Sequence, residues 1–172
     1  MINIAKALKI TGWMRPQELR WLAQQAANCE KIVELGVFRG RSVRAMLDNS
    51  DAHIWAVDDW NSRITKKSNS SDIEMFAFLE NVADCIERLT VLRMTTEAAA
   101  ETLPMEAPFD MVFIDADHTY KWVKHDILAY RPMIRPGGLL CGHDAHHAPL
   151  MKAVNELVPV HQVTSTIWYA RV

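Results

Sequence analysis

Acids and histidines stand at the ends of apolar runs in this chain. Phe109 to Ile114 runs into Asp115, Asp117 and His118, and Leu139 to Cys141 runs into Gly142, His143 and Asp144. Unpaired carboxylates brought close together repel one another, so a cation is a natural way to hold them. Oxygen-rich sets suit Mg²⁺, Mn²⁺ or Ca²⁺, and a histidine among them tilts the choice toward Mn²⁺, Fe²⁺ or Zn²⁺. Asp115, His143 and Asp144 are therefore a candidate cation set. The plain alternative has Asp144 capping the following helix and His143 packing against a sheet. His118 follows Asp115 by three positions, and an imidazole with an ordinary pKa of about 6.5 suits a general base at neutral pH. Its plain alternative is a hydrogen bond to its own loop. His146 and His147 read as polar surface, and Tyr120 and Trp122 as packing groups.

These groups meet only if the elements before them are strands of one sheet. The stretch KIVELGVFRGRS, 31 to 42, reads as strand, tight loop and helix, with Gly36 and Gly40 letting the backbone approach a ligand. HIWAV, 53 to 57, is a second strand ending in Asp58, where a nucleotide-binding fold accepts ribose hydroxyls. Thr90 to Met94, Phe109 to Ile114 and Leu139 to Cys141 are further strands, the last preceded by a turn at Arg135 to Gly138. Helices are expected over 16–29, 41–49, 72–88, from Thr95 or Thr96 through Thr102, up to about Met133, and over 149–158. The tail from His161 alternates well enough for two short strands joined at Ser165. Strands alternating with helices and closed by a hairpin imply a doubly wound, Rossmann-like α/β fold with a mostly parallel seven-stranded sheet and an antiparallel C-terminal strand. In such a sheet the ligand crevice lies outside the carboxyl ends of the strands, so Glu34, Asp58, Asp115, His118, His143 and Asp144 should converge. The polar stretch Trp60 to Ser71 is a candidate lid.

A chain of 172 residues that is 49% apolar makes one domain, here 1–172, with 1–29 as a helical cover. The net charge of -2, with both signs mixed, gives no electrostatic case for nucleic acid or an anionic membrane. Three scattered cysteines, Cys29, Cys85 and Cys141, fit reduced thiols in the cytoplasm. Neither a signal peptide nor a membrane span is expected. Exposed edge strands and the N-terminal helix leave a homodimer open.

Glu34 carries the sharpest chemical hint, because an acid at the mouth of a glycine loop repels phosphate and favours a ligand with a positive group. Phe38 also stands where a dinucleotide loop would have its middle glycine. At ELGVFRGRS, AVDDW, FDMVFIDADHTY and RPGGLLCGHDA the chain resembles the class I S-adenosylmethionine-dependent methyltransferases, above all the cation-dependent O-methyltransferases related to catechol O-methyltransferase and a bacterial branch of short members. The resemblance implies that Glu34, Gly36 and Ser42 lie around the methionine part of S-adenosylmethionine, with Gly40 in the same loop. It places Asp58 at the ribose and Thr96 and Glu97 at the adenine edge. It puts a divalent cation, Mg²⁺ or Mn²⁺, on Asp115, His143 and Asp144, and makes His118 the catalytic base beside Asp115. The catechol-type enzymes have Asp-Asn in place of His143-Asp144, and a lysine base. The implied reaction is methyl transfer to a small-molecule hydroxyl. Metal-independent methyl transfer to another acceptor, a silent cofactor-binding or assembly domain, and an NAD-dependent oxidoreductase remain open from sequence.

Overall fold

The structure is a computed structural model that describes residues 1–61 and 70–172. Most of the stretch read as a lid, 62–69, lies outside the described residues. The expected doubly wound sheet forms, with seven strands in the order β3-β2-β1-β4-β5-β7-β6. The strands are β1 (Lys31–Leu35), β2 (His53–Asp58), β3 (Leu89–Arg93), β4 (Phe109–Ile114), β5 (Ile134–Gly142), β6 (Gln162–Thr164) and β7 (Ile167–Arg171). The first five pair in parallel, and β7 runs antiparallel to both β5 and β6.

The central strands are apolar on both faces, as a parallel sheet covered on each side requires. Ile32, Ile54, Met111, Phe113, Leu139 and Cys141 pack on one side against α1 (Pro16–Ala26), α2 (Arg41–Leu47) and α3 (Ser70–Val82). The alternate residues Val33, Leu35, Val57, Val112, Ile114 and Leu140 pack on the other against α4 (Thr96–Thr102), α5 (Tyr120–Tyr130) and α6 (Ala148–Leu157). Order reverses between β1 and β4, and the β1 loop and the end of β4 flank that switch point.

Three boundaries differ from expectation. Helix α1 stops at Ala26 rather than Cys29, because Glu30 N and Lys31 N donate to Asp110 Oδ2 at 2.7 and 2.8 Å and start β1. Helix α3 stops at Val82, and 83–88 continue as 3-10 turns. The turn expected at 135–138 is instead part of β5, because the chain end supplies partners: Gly137 N donates to Val172 O at 2.5 Å and Val172 N to Gly138 O at 3.0 Å. No helix among the described residues is long and apolar enough to cross a membrane.

Candidate active site

A cavity of about 1040 Å³ opens over the carboxyl ends of the parallel strands. Its wall takes Gly36 to Phe38 and Ser42 from the β1 loop, Asp58 and Asp59 from β2, Thr96 and Glu97 from α4, and Asp115, His118, His143 and Asp144 from the ends of β4 and β5. Two predicted residues stand behind the wall. Gly40 starts α2 at φ 82°, and Glu34 is fully buried beneath the loop.

The loop is shaped by close backbone approach. Gly36 sits at φ 84°, and a Cβ there would lie 2.3 Å from the backbone oxygen of Asp115. Phe38, at φ 47°, adopts the left-handed conformation without being glycine. Its carbonyl accepts from Trp60 Nε1 at 2.7 Å, so Trp60 is a buried anchor of the loop. Beneath it Ser42 Oγ donates to Glu34 Oε1, while Glu34 Oε2 has no hydrogen-bond partner among the described residues. Burial drives the Glu34 carboxyl well above the usual range against the Ser42 bond, and the charges of Asp115 and Asp58 add to the rise.

Asp58 does more than its place at a strand tip announced. Its Oδ2 accepts from Val37 N at 3.0 Å and Phe38 N at 2.8 Å, and its Oδ1 accepts from Trp60 N at 2.7 Å. It therefore fastens the loop, and Asp59 stands next to it on the same wall. Thr95 rather than Thr96 caps α4, accepting from Ala98 N. Thr96 Oγ1 donates to the buried Asp126 at 2.7 Å, which ties the α4 end of the cavity to α5.

At the other end the charged groups crowd together. His118 Nε2 lies 2.9 Å from Asp144 Oδ2 and 3.7 Å from Asp115 Oδ1. His143 Nδ1 lies 3.6 Å from Asp115 Oδ1 and 3.4 Å from Asp144 Oδ1. Ligand atoms of Asp115, His118 and Asp144 all fall within 4.8 Å of one another, as do those of Asp144, His146 and His147. Asp144 holds φ 60°, a strained backbone at a point of convergence. Asp115 and Asp144 raise His118 to about 10. Burial opposes charge on His143, yet the same two carboxylates raise it also to about 10. Burial likewise opposes charge on Asp144, but the two imidazoles hold its carboxyl far below the usual range. The two carboxylates thus favour positive charge on both imidazoles. Asp144 does not cap α6, whose cap position is His147 without a side-chain bond.

Three features were not legible beforehand. His147 stacks on His118 with ring centroids 5.2 Å apart, so the loop histidines belong to the cavity wall. The segment 12–15 crosses that wall too, pinned by Arg41, whose Nη1 donates to Ile10 O at 2.6 Å and whose Nε donates to Met14 O at 3.1 Å. Glu18 of α1, buried, reaches the same wall from below. Burial opposes its ionisation, but donors from Thr166, Arg15 and Ser165 pull it down to about 2.

Residues 33–145 match a family model described as methyltransferase domain. The chain belongs to the methyltransferase-domain family. It is a class I S-adenosylmethionine-dependent methyltransferase, as its motifs implied. The match begins after α1 and ends before β6 and β7, so Glu18 and the C-terminal hairpin lie outside the matched residues. A sequence comparison with curated proteins finds no match. Among solved structures, the O-methyltransferase from Bacillus cereus in complex with SAH is 16% identical, with a TM-score of 0.71 over 98% of this chain and 87% of that one. The O-methyltransferase TomG from Streptomyces achromogenes, involved in tomaymycin synthesis and in complex with SAM, is 14% identical, with a TM-score of 0.70 over 93% and 81%. The MycE methyltransferase from the mycinamycin biosynthetic pathway, in complex with Mg, SAH and mycinamycin VI, is 16% identical, with a TM-score of 0.63 over 94% of this chain and 50% of that one. At these identities the likeness is one of fold.

Proposed function

We propose that this methyltransferase acts on a hydroxyl of a small molecule, with S-adenosylmethionine as methyl donor and a divalent cation, Mg²⁺ or Mn²⁺, at the ends of β4 and β5. In this reading residues 1–172 work as one catalytic domain whose first 29 residues cover the site. One observation carries it: the glycine loop and the carboxylate–imidazole cluster face a single cavity.

The residues fit both groups. On the donor side, Gly36 lets the β1 loop close against the backbone of Asp115 and so shapes the cavity wall, and the buried Glu34 Oε2 has no hydrogen-bond donor among the described residues. Glu34, Gly36 and Ser42 would hold the methionine part, Asp59 beside Asp58 the ribose hydroxyls, and Thr96 and Glu97 the adenine edge. On the cation side, His143 Nδ1 lies 3.6 Å from Asp115 Oδ1 and 3.4 Å from Asp144 Oδ1, so these residues would offer carboxylate oxygens together with the nitrogen that favours Mn²⁺. His143 is buried with Nε2 turned to Glu18 and Thr166, whereas the side chain of His118 is 39% exposed, which leaves His118 the better placed of the two to meet a substrate.

A divalent cation at this point supplies Lewis acidity that makes a nearby hydroxyl easier to ionise. Asp115 and Asp144 raise the pKa of His118 to about 10, and a cation that offset their charge would lower it again, so that Nε2 could accept a proton. His118 would accept the hydroxyl proton, and S-adenosylmethionine would supply the methyl group and leave as SAH. Alignment of acceptor and donor would supply much of the rate. Calorimetry with SAH and NAD, followed by methyl transfer to a panel of small hydroxyl compounds with and without EDTA, tests the reading. SAH binding and EDTA-sensitive transfer are expected. NAD binding in place of SAH overturns the donor assignment, and EDTA-insensitive transfer overturns the cation.

A further inference from the structure

The chain contains a buried relay behind the cation cluster that no motif announced. Glu18 Oε1 accepts from Ser165 Oγ at 2.7 Å and from Thr166 Oγ1 at 2.6 Å, and Glu18 Oε2 accepts from Arg15 N at 2.7 Å. His143 Nε2 lies 3.0 Å from Thr166 Oγ1 and 3.3 Å from Glu18 Oε2. Glu18 is 2% exposed and His143 5%.

Counting protons shows which nitrogen of a neutral His143 ring carries hydrogen. An ionised carboxylate only accepts, and Thr166 owns a single hydroxyl proton. That proton goes to Glu18 Oε1, so the face Thr166 turns to His143 is an acceptor. The other neighbour, Glu18 Oε2, is an acceptor as well. Nε2 must therefore be the N–H, and in the neutral ring Nδ1 is left bare, facing Asp115 Oδ1 and Asp144 Oδ1.

We infer that Glu18, together with Thr166, is a positioning device for the cation site: it takes the Nε2 proton of His143 and so presents Nδ1 as a ligand beside Asp115 and Asp144. This rests on the cation reading above. A carboxylate behind a ligating histidine fixes ring orientation and tautomer and strengthens the ligand. Here the carboxylate comes from α1 and the hydroxyl from the turn before β7, both outside the residues that match the family model. Cation binding is thereby tied to the docking of the N-terminal helix.

The test is titration of Mn²⁺ into the full chain by calorimetry, with SAH titrated separately, for the wild type and for Thr166→Val, Thr166→Ser and Glu18→Gln. Thr166→Val is nearly isosteric and removes only the hydroxyl. Glu18→Gln allows an amide N–H to face Nε2, against the tautomer. Both should weaken Mn²⁺ binding by about 10- to 100-fold and leave SAH binding unchanged, while Thr166→Ser keeps wild-type Mn²⁺ affinity. A purely structural role for Glu18 would lower the melting temperature of the variants without moving Mn²⁺ affinity, and that result overturns the inference. A wild type that takes up SAH but no Mn²⁺ overturns the cation reading and this inference with it, before any variant is needed.

Discussion

Replacing Gly36 by alanine should damage both the fold and donor binding, and Gly137→Ala separates the causes. Both glycines hold positive φ, 84° and 77°. Each substitution therefore carries the left-handed strain of about 1–2 kcal/mol. At Gly137 nothing lies within 4 Å of the added Cβ, so strain is the whole cost. At about 2–4 °C per kcal/mol for a chain of this size, Gly137→Ala should lower Tm by about 2–8 °C. At Gly36 the new Cβ meets backbone: Asp115 O at 2.3 Å and Ala116 Cα at 2.7 Å. Neither can rotate away, so the β1 loop and the end of β4 must part. Overpacking of this kind adds about 1–3 kcal/mol, a further drop of about 2–12 °C. The same displacement moves Asp115 and the loop that would hold the donor, so SAH affinity should fall for Gly36→Ala and stay at the wild-type value for Gly137→Ala. Scanning calorimetry and SAH titration on the two variants read both effects. Equal melting temperatures for the pair, with wild-type SAH binding in each, would show that the close approach at Gly36 is not what the loop depends on.

Other outcomes follow from single contacts. His118→Ala should cut methyl transfer by about 10²–10⁴-fold while SAH binding holds; parallel loss of both would assign His118 to binding. Glu34→Gln should gain stability relative to the wild type as pH rises from 5 to 8, measured by urea unfolding. The reason is that the raised folded-state pKa of Glu34 makes its contribution favourable in acid and lost as pH climbs from about 4.5 upward; a pH-independent difference refutes the burial argument. Arg41→Met should free residues 10–15, since it removes the donors to Ile10 O and Met14 O. Faster amide hydrogen exchange in that segment, with α2 unchanged, is the expected signature.

How far the sequence carried depends on whether a feature is written locally. Strand β4 was legible to the residue because FDMVFI is an apolar run ended by an acid, and the crevice rule then puts Asp115, His118, His143 and Asp144 on one cavity wall, where they stand. Glycine-loop geometry was legible from Gly36, but the burial of Glu34 behind the wall was not, because strand periodicity does not say how deep an acid sits. The second role of Asp58 escaped because spacing counts residues and not lone pairs: it is filled by Val37, Phe38 and Trp60 amides that only the folded loop brings to it. The turn read at 135–138 became strand because its partner, Val172, is at the far end of the chain. Glu18 makes the point most sharply. Within α1 it is one polar residue of an amphipathic helix, and its nearest rational partner in sequence is Arg15, which it serves as a helix cap. Its partners at Ser165 and Thr166 lie 147 and 148 positions away, and His143 lies 125 away. Side chains that position other side chains have no period, so they become visible only when donors and acceptors are counted in the folded chain. Asp115, His143 and Asp144 follow a strand-end pattern, whereas the groups that set the His143 tautomer are brought there by topology.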